Sequence, residues 1–220
     1  MLHRLVRGAI FTDADAVVGH HMDHPRAHQG PQPVEHVASL RAIPNLNVFR
    51  PADAVETAEC WKLALEARTT PSVMALSRQK VPAARTIVAA ENLSARGAYQ
   101  LAGAEHPAQV TIFASGTEVS VALEARVLLE ADGIGTRVVS TPCLELFAAQ
   151  SSDYQAAVIG ETDVRVAVEA GIRMGWERFI GEDGVFVGMN GFGTSAPAEV
   201  LYKHFGITAE GVAAAVRAKL

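Results

Sequence analysis

The chain has 220 residues, of which 49% are hydrophobic and 20% are charged, a composition typical of a globular protein with one large or two small cores. Its formal net charge is -5, and no run of Lys and Arg could follow a nucleic-acid backbone, so a nucleic-acid partner is excluded. No apolar stretch is long enough for a membrane span and no signal peptide is evident, so we expect a cytoplasmic protein. Cys60 and Cys143 lie far apart in sequence, which favours two reduced thiols.

A segment rich in histidine and proline, HMDHPRAHQGPQPVEH (21–36), comes first along the chain. His20, His24 and His28 have the spacing of a metal-binding stripe on a helix, but the prolines would interrupt that helix. Three interpretations stay open. A loop of solvated neutral histidines is favoured, ahead of a catalytic loop in which His and Asp hydrogen-bond a polar substrate, and of a metal site.

The next stretch predicts a first α/β unit. It contains a strand, a helix and a second strand, at 45–51 (NLNVFRP), 53–68 (DAVETAECWKLALEAR) and 71–78 (PSVMALSR). Asp53 followed by Glu56 is a capping-box pattern that marks the start of the helix. Arg78 follows at the carboxyl end of the second strand, where open α/β sheets bind ligands. Its guanidinium suits a phosphate and a neighbouring carboxylate equally well.

A second α/β unit follows a segment of weak periodicity between residues 81 and 107, in which one short strand is predicted at 97–101. Four strands are predicted beyond it, at 109–116, 136–141, 164–170 and 185–189, and three helices, at about 115–133, 197–206 and 208–220. Ser115 and Glu118 form a second capping-box pattern. Strands rich in Val and Ile that alternate with helices favour a mostly parallel sheet covered on both faces. The predicted fold class is therefore α/β, with two three-layer blocks of which the first is incomplete.

Three local patterns could carry chemistry, and each has a structural alternative that we favour. GFGTSA (191–196) has dinucleotide-loop spacing, but only helices are predicted after it, so a tight turn is favoured. ASGTE (114–118) could hold an anion at a helix N-terminus, and a capped turn is favoured there. Cys143 follows Pro142 at a strand end, but no histidine lies beside it in sequence to activate a thiol nucleophile.

Five longer segments resemble transketolase in their order and spacing. They are QPVEHVASLRAIPNLNVFRPADAVETAECWKLAL, PSVMALSRQKVP, FASGTEVSVALEA, VRVAVEAGI and GMNGFGTSAPAEVLYKHFGIT. FRPAD..E followed by LSRQ distinguishes this family from the related dehydrogenases and deoxyxylulose-phosphate synthases. The resemblance implies transfer of a two-carbon ketol unit between sugar phosphates of the pentose phosphate pathway. It also implies thiamine diphosphate and a divalent cation (Mg²⁺ or Ca²⁺) as cofactors, and a homodimer with active sites between subunits.

The resemblance further implies site residues. Asp23 and His28 stand in for the substrate-binding Asp and His of the family's loop, and His28 is the implied catalytic residue. Arg78 matches the family's phosphate-binding arginine. The chain departs from the family at 12–31, where T-H-D-S and G-E-D-G-P-T-H-Q are expected. Asp13 replaces the family's histidine, and a carboxylate there would repel the substrate phosphate.

By the same resemblance, residues 1–85 are part of the pyrimidine-binding domain, 86–107 an interdomain linker and 108–220 the C-terminal domain. The sequence has no counterpart of the family's G-D-G…N segment or of the glutamate that activates thiamine. No cofactor-binding or metal-binding residue is therefore assigned, and the chain is expected to be inactive alone.

Three hypotheses follow for the chain. It is the C-terminal part of a truncated transketolase, the C-terminal subunit of a split enzyme that associates with the missing domains, or a non-catalytic α/β module that binds a partner. A partial sheet would expose an edge strand, so residues 1–85 are expected to be the less stable block and the chain to associate with itself.

Overall fold

The computed structural model describes residues 34–77, 79–86 and 89–220, together with the backbone of residues 9–13. These residues form two mostly parallel sheets flanked by helices, which confirms the α/β class. None of the helices in this part of the chain is both long enough and apolar enough to cross a membrane.

The first sheet has three parallel strands in the order β1-β3-β2. This first block consists of β1 (Ala9–Asp13), α1 (His36–Arg41), β2 (Asn47–Phe49), α2 (Ala54–Glu66) and β3 (Ser72–Leu76). Asp13 is in register with Leu76, and Phe49 with Met74. The predicted strand, helix and strand between residues 45 and 78 are confirmed, whereas β1 and α1 are not predicted by the sequence pattern.

Helix α2 begins where the capping-box pattern places its start. The Asp53 side chain accepts a hydrogen bond from the Glu56 backbone N–H at 2.9 Å. The Glu56 carboxylate reaches back to the backbone N–H of Ala52 at 2.7 Å, one residue before the N-cap. The second carboxylate oxygen of Asp53 accepts from the N–H groups of Ala84 and Arg85, which holds the segment after β3 against the start of α2.

The second sheet has five strands in the order β4-β6-β5-β7-β8, and only β4 is antiparallel to its neighbour. Its strands are β4 (Tyr99–Ala102), β5 (Ala108–Ala114), β6 (Gly135–Ser140), β7 (Val164–Val168) and β8 (Val185–Val187). The helices of this second block are α3 (Glu118–Ala131), α4 (Leu144–Ala148), α5 (Ser152–Ile159), α6 (Glu177–Ile180), α7 (Ala198–Phe205) and α8 (Ala209–Arg217). All predicted strands and helices of this block are confirmed, and α4 to α6 are additional.

The two blocks share buried surface. Val34 and Ala52 of the first block lie in the main core of the second, which is built on β5, β7, α3 and α8. A smaller cluster also crosses the boundary and consists of Phe49, Cys60, Met74 and Cys143. Buried apolar packing therefore crosses the boundary between the blocks in both clusters.

The second predicted capping box is wrong. The N-cap of α3 is Thr117, whose side chain makes no capping hydrogen bond. The Ser115 hydroxyl donates instead to Glu169, and Glu118 is a fully buried carboxylate that accepts from Arg50. Both side chains form hydrogen bonds with residues distant in sequence, which the local spacing does not predict.

Candidate functional site

The first candidate site is the carboxyl edge of the first sheet. Because β1 and β3 are parallel and Asp13 is in register with Leu76, both strands end at this edge. Ser77 follows β3, and its hydroxyl donates to the Gln79 carbonyl at 3.2 Å.

The side chains implied for this site by resemblance are not among the described residues. Asp23, His28 and Arg78 all lie outside them, as do the other residues of the histidine-rich segment before residue 34. Of Asp13 the structure describes only the backbone. The substrate-binding roles of these residues therefore stay predictions.

A second candidate site lies where the two blocks meet, at the carboxyl ends of β5 and β7. We call it the arginine cluster, and it consists of Arg41, Arg50, Glu118 and Glu169. Arg41 ends α1 and Arg50 follows β2, so both cations come from the first block. Glu118 begins α3 and Glu169 follows β7, so both carboxylates come from the second.

Glu169 is the centre of this cluster, with only 2% of its surface exposed. It accepts both terminal N–H groups of Arg41, at 2.8 and 2.9 Å, and the indole N–H of Trp176 at 2.9 Å. Ser115 donates to it at 2.8 Å, and Nη1 of Arg50 lies 3.4 Å away. Burial alone would raise the pKa of Glu169, but the two guanidinium groups outweigh it and hold the pKa at about 2.

Arg50 connects the two carboxylates. Its Nη1 donates to Glu118 and to the Ser115 carbonyl, the latter at 2.9 Å. Glu118 also accepts from the hydroxyls of Tyr202 and Thr117. Burial would lower the pKa of Arg50, but Glu118 and Glu169 raise it above its usual value. The cluster thus buries two cations and two anions that neutralise each other.

Gly116 allows this approach of the two blocks. Its φ is +60°, and a Cβ there would lie 3.0 Å from Cγ of Arg50. Its N–H donates to the Arg50 carbonyl at 2.8 Å. The ASGTE turn is therefore a contact surface for Arg50, because only glycine combines this backbone conformation with the required space.

A third buried carboxylate at the block boundary has a different environment. Glu56 accepts from the Tyr99 hydroxyl at 2.6 Å and from the Ser140 hydroxyl at 2.5 Å, in addition to the Ala52 N–H. We call Glu56, Tyr99 and Ser140 the hydroxyl cluster. Burial raises the pKa of Glu56, and the hydrogen bonds oppose that rise only in part.

Cys143 is not placed as a nucleophile. It is fully buried, and burial raises the pKa of its thiol well above the usual value. Its Sγ donates to Glu145 at 3.2 Å, and a carboxylate partner disfavours the thiolate further. Cys60 is also buried with a raised pKa, so both cysteines are inert free thiols, as the sequence predicts.

The described residues do not fit thiamine diphosphate and its cation. Among residues 34–77, 79–86 and 89–220 no three His, Cys, Asp or Glu side chains are grouped so that they could hold a metal. The buried glutamates of this part are Glu56, Glu118, Glu130 and Glu169. Each is engaged by hydroxyl, indole, guanidinium or backbone N–H donors. No described carboxylate of the two clusters is thus left to activate a cofactor ring.

The sequence contains a signal for the arginine cluster that motif reasoning missed. Arg50 and Glu169 each directly follow an apolar strand, in VFRP and VAVEA. Charged residues at the carboxyl ends of parallel strands meet at one sheet edge within a block. Across two blocks, however, only the tertiary structure pairs them.

The fold and the buried cluster define an α/β protein of two blocks. The second block is a doubly wound sheet, and buried ion pairs of the arginine cluster join it to the first. Residues 7–84 match the family model of the transketolase pyrimidine-binding domain, and residues 97–208 match that of the transketolase-like C-terminal domain. The chain belongs to the transketolase family.

Relatives and solved structures agree with this assignment. A transketolase of Rhodobacter capsulatus is 56% identical in a 195-residue alignment that covers 86% of this chain and 29% of that protein. The chloroplastic transketolase of Solanum tuberosum is 44% identical over 84% of this chain and 25% of its own length. The transketolase structure from Leishmania mexicana superposes with a TM-score of 0.80 and 43% identity, covering 94% of this chain and 29% of that one. The chain therefore spans less than a third of the length of these relatives.

Proposed function

We propose that this chain is the C-terminal portion of a transketolase, which transfers a two-carbon ketol unit between sugar phosphates. Residues 1–85 form part of the pyrimidine-binding domain, 86–107 the linker, which contributes β4 to the edge of the second sheet, and 108–220 the C-terminal domain. The observation that supports the proposal most directly is the parallel pairing of β1 with β3. It brings the strand before the histidine-rich segment and the strand before Arg78 to one sheet edge.

In this proposal the chain supplies the substrate side of the active site. Asp23 and His28 hydrogen-bond hydroxyls near the reacting carbons, with His28 as the catalytic residue, and Arg78 binds the phosphate as a paired donor. Asp13 weakens phosphate binding because its carboxylate repels the anion.

Thiamine diphosphate and its Mg²⁺ or Ca²⁺ belong to other domains of the enzyme in this proposal. The described residues do not fit these groups, so we assign them no step of the reaction. The chain alone is inactive, and it acts in the cytoplasm after association with the missing domains or as part of a homodimer.

The test uses the purified chain with and without the remainder of a relative, such as the Rhodobacter capsulatus transketolase without its matching C-terminal part. We expect no heat of binding with thiamine diphosphate and Mg²⁺, and no ketol transfer, from the chain alone. Turnover is expected on addition of the remainder. Arg78→Ala should then raise KM for the sugar phosphate, whereas Arg68→Ala, at an exposed position after α2, should not. Turnover by the chain alone would refute the proposal.

A split enzyme is the second candidate. A solved chain described as "Split gene transketolase, inactive beta4 tetramer" superposes with a TM-score of 0.72 and 27% identity, covering 96% of this chain and 65% of that one. If this chain is such a subunit, co-expression with a diphosphate-domain protein from the same genome should yield a stable complex with turnover. If the two proteins do not co-elute in gel filtration, the split-enzyme hypothesis is wrong and the first proposal, a portion of a transketolase, is retained.

A further inference from the structure

The carboxyl edge of the second sheet has the geometry of a ligand site. Its parallel strands run β6-β5-β7-β8, so the chain first adds β6 on one side of β5 and then β7 on the other. The strand order reverses between β5 and β7. In doubly wound sheets, ligands bind in the crevice outside the carboxyl ends of the strands at this point.

The residues that line this crevice are Ser115 after β5, Glu118 at the start of α3 and Glu169 after β7. They present two buried carboxylates, one hydroxyl and one backbone carbonyl. All four are hydrogen-bond acceptors for a cation. An anionic ligand such as a phosphate would meet repulsion here.

The cations in the crevice belong to the first block. Arg41 forms a paired contact with Glu169, and Arg50 places one nitrogen among Ser115, Glu118 and Glu169. The planar fork of Arg41 matches the two oxygens of Glu169, a paired contact that a single ammonium cannot make. Arg50 reaches its acceptors through Nη1 alone.

We propose that the switch-point crevice of the second block is a guanidinium-binding site, used in this protein to hold the first block through Arg50 and Arg41. The edge that binds small molecules in other doubly wound sheets thus serves here as an internal docking site. When an arginine side chain is shortened, the crevice accepts a free guanidinium cation in its place.

Chemical rescue of the whole chain tests this inference. Arg50→Ala should lower the Tm by about 10 °C, since breaking a buried ion pair is strongly destabilising. Methylguanidinium at millimolar concentration, far below denaturing levels, should raise the Tm of this variant with saturation. It should leave the wild type unchanged, because the crevice is already filled.

Two controls separate binding from a general salt effect. Arg217→Ala removes an exposed partner of Asp132, and methylguanidinium should not change its Tm. In the double variant Arg50→Ala, Glu169→Gln the rescue should be lost. Equal Tm shifts in all variants would overturn the proposal.

Arg41→Ala provides the same test if Arg50→Ala does not fold. It removes the paired contact with Glu169 but leaves Arg50 on Glu118. Saturable rescue by methylguanidinium is again expected, and methylammonium at equal ionic strength should not rescue this variant, because it cannot make the paired contact with Glu169. Absence of rescue by methylguanidinium in a folded Arg41→Ala protein, or equal rescue by methylammonium, would overturn the proposal.

Discussion

The arginine cluster and the hydroxyl cluster both bury carboxylates between the two blocks, yet they shift the carboxylate pKa in opposite directions. Glu169 faces two guanidinium groups, and its pKa is held at about 2. Glu56 faces two hydroxyls and a backbone N–H, and its pKa is raised. Both are almost fully buried, so burial alone does not decide the protonation state. The partners decide it: cations stabilise the ionised form, and hydroxyls offset desolvation only in part.

The two clusters also connect the same two blocks, which changes an expectation drawn from the sequence. An exposed sheet edge predicts that residues 1–85 unfold first. The shared core and both clusters argue instead for one cooperative unit. We expect a single urea-induced transition, with tryptophan fluorescence and far-UV circular dichroism coinciding. Two separate transitions would show that the blocks unfold independently despite their buried contacts.

The largest effect on stability is expected in the arginine cluster. Glu169→Gln removes the negative charge but keeps the volume, which leaves Arg41 and Arg50 with an excess of buried positive charge. The free energy of unfolding should fall by about 3–5 kcal/mol, as for a broken buried pair. Asp132→Asn, in an exposed pair with Arg217, is the matched control and should cost less than about 1 kcal/mol. Similar losses in both variants would mean that burial of the cluster is energetically unimportant.

A smaller effect is expected in the hydroxyl cluster. Tyr99→Phe and Ser140→Ala each remove one hydrogen bond to Glu56, and each should cost about 1–3 kcal/mol in urea unfolding. Because both hydroxyls act on one carboxylate, the double variant should deviate from additivity. Ser152→Ala, at an exposed helix start, is the control and should be neutral. Strict additivity would indicate that the two hydroxyls act independently.

The smallest expected effect is on the pH dependence of stability, which distinguishes Glu169 from Glu56. The pKa of Glu169 is lowered from 4.5 to about 2, so its contribution is complete above pH 4.5 and is lost as the pH falls from 4.5 to 2. The pKa of Glu56 is raised from 4.5, so its ionisation costs stability as the pH rises above 4.5. Glu169→Gln should therefore reduce the loss of stability between pH 4.5 and 2. Glu56→Gln should reduce the loss of stability above pH 4.5. If both variants change the stability in the same pH range, the direction of the pKa shift is wrong for one of the two glutamates.

Much of the fold was predictable because its signals are local. Apolar strands such as VTIFA and VRVAV, and the cap of α2 at Asp53, follow from residue spacing within a few positions. Helices α4 and α6 were missed because, at five and four residues, they are too short to show a helical period. Strand β1 was missed because its five residues precede a segment of unusual composition.

By itself, the sequence determined the α/β class, the family and the positions of the charged residues at the strand ends. Only the tertiary structure decided what those residues do. Ser115 and Glu118 have the spacing of a helix cap, but the competing cation Arg50 lies 65 or more positions away along the chain. A buried carboxylate gains more from a guanidinium than from a backbone N–H, so the long-range partner wins. That partner becomes available only when the two blocks dock.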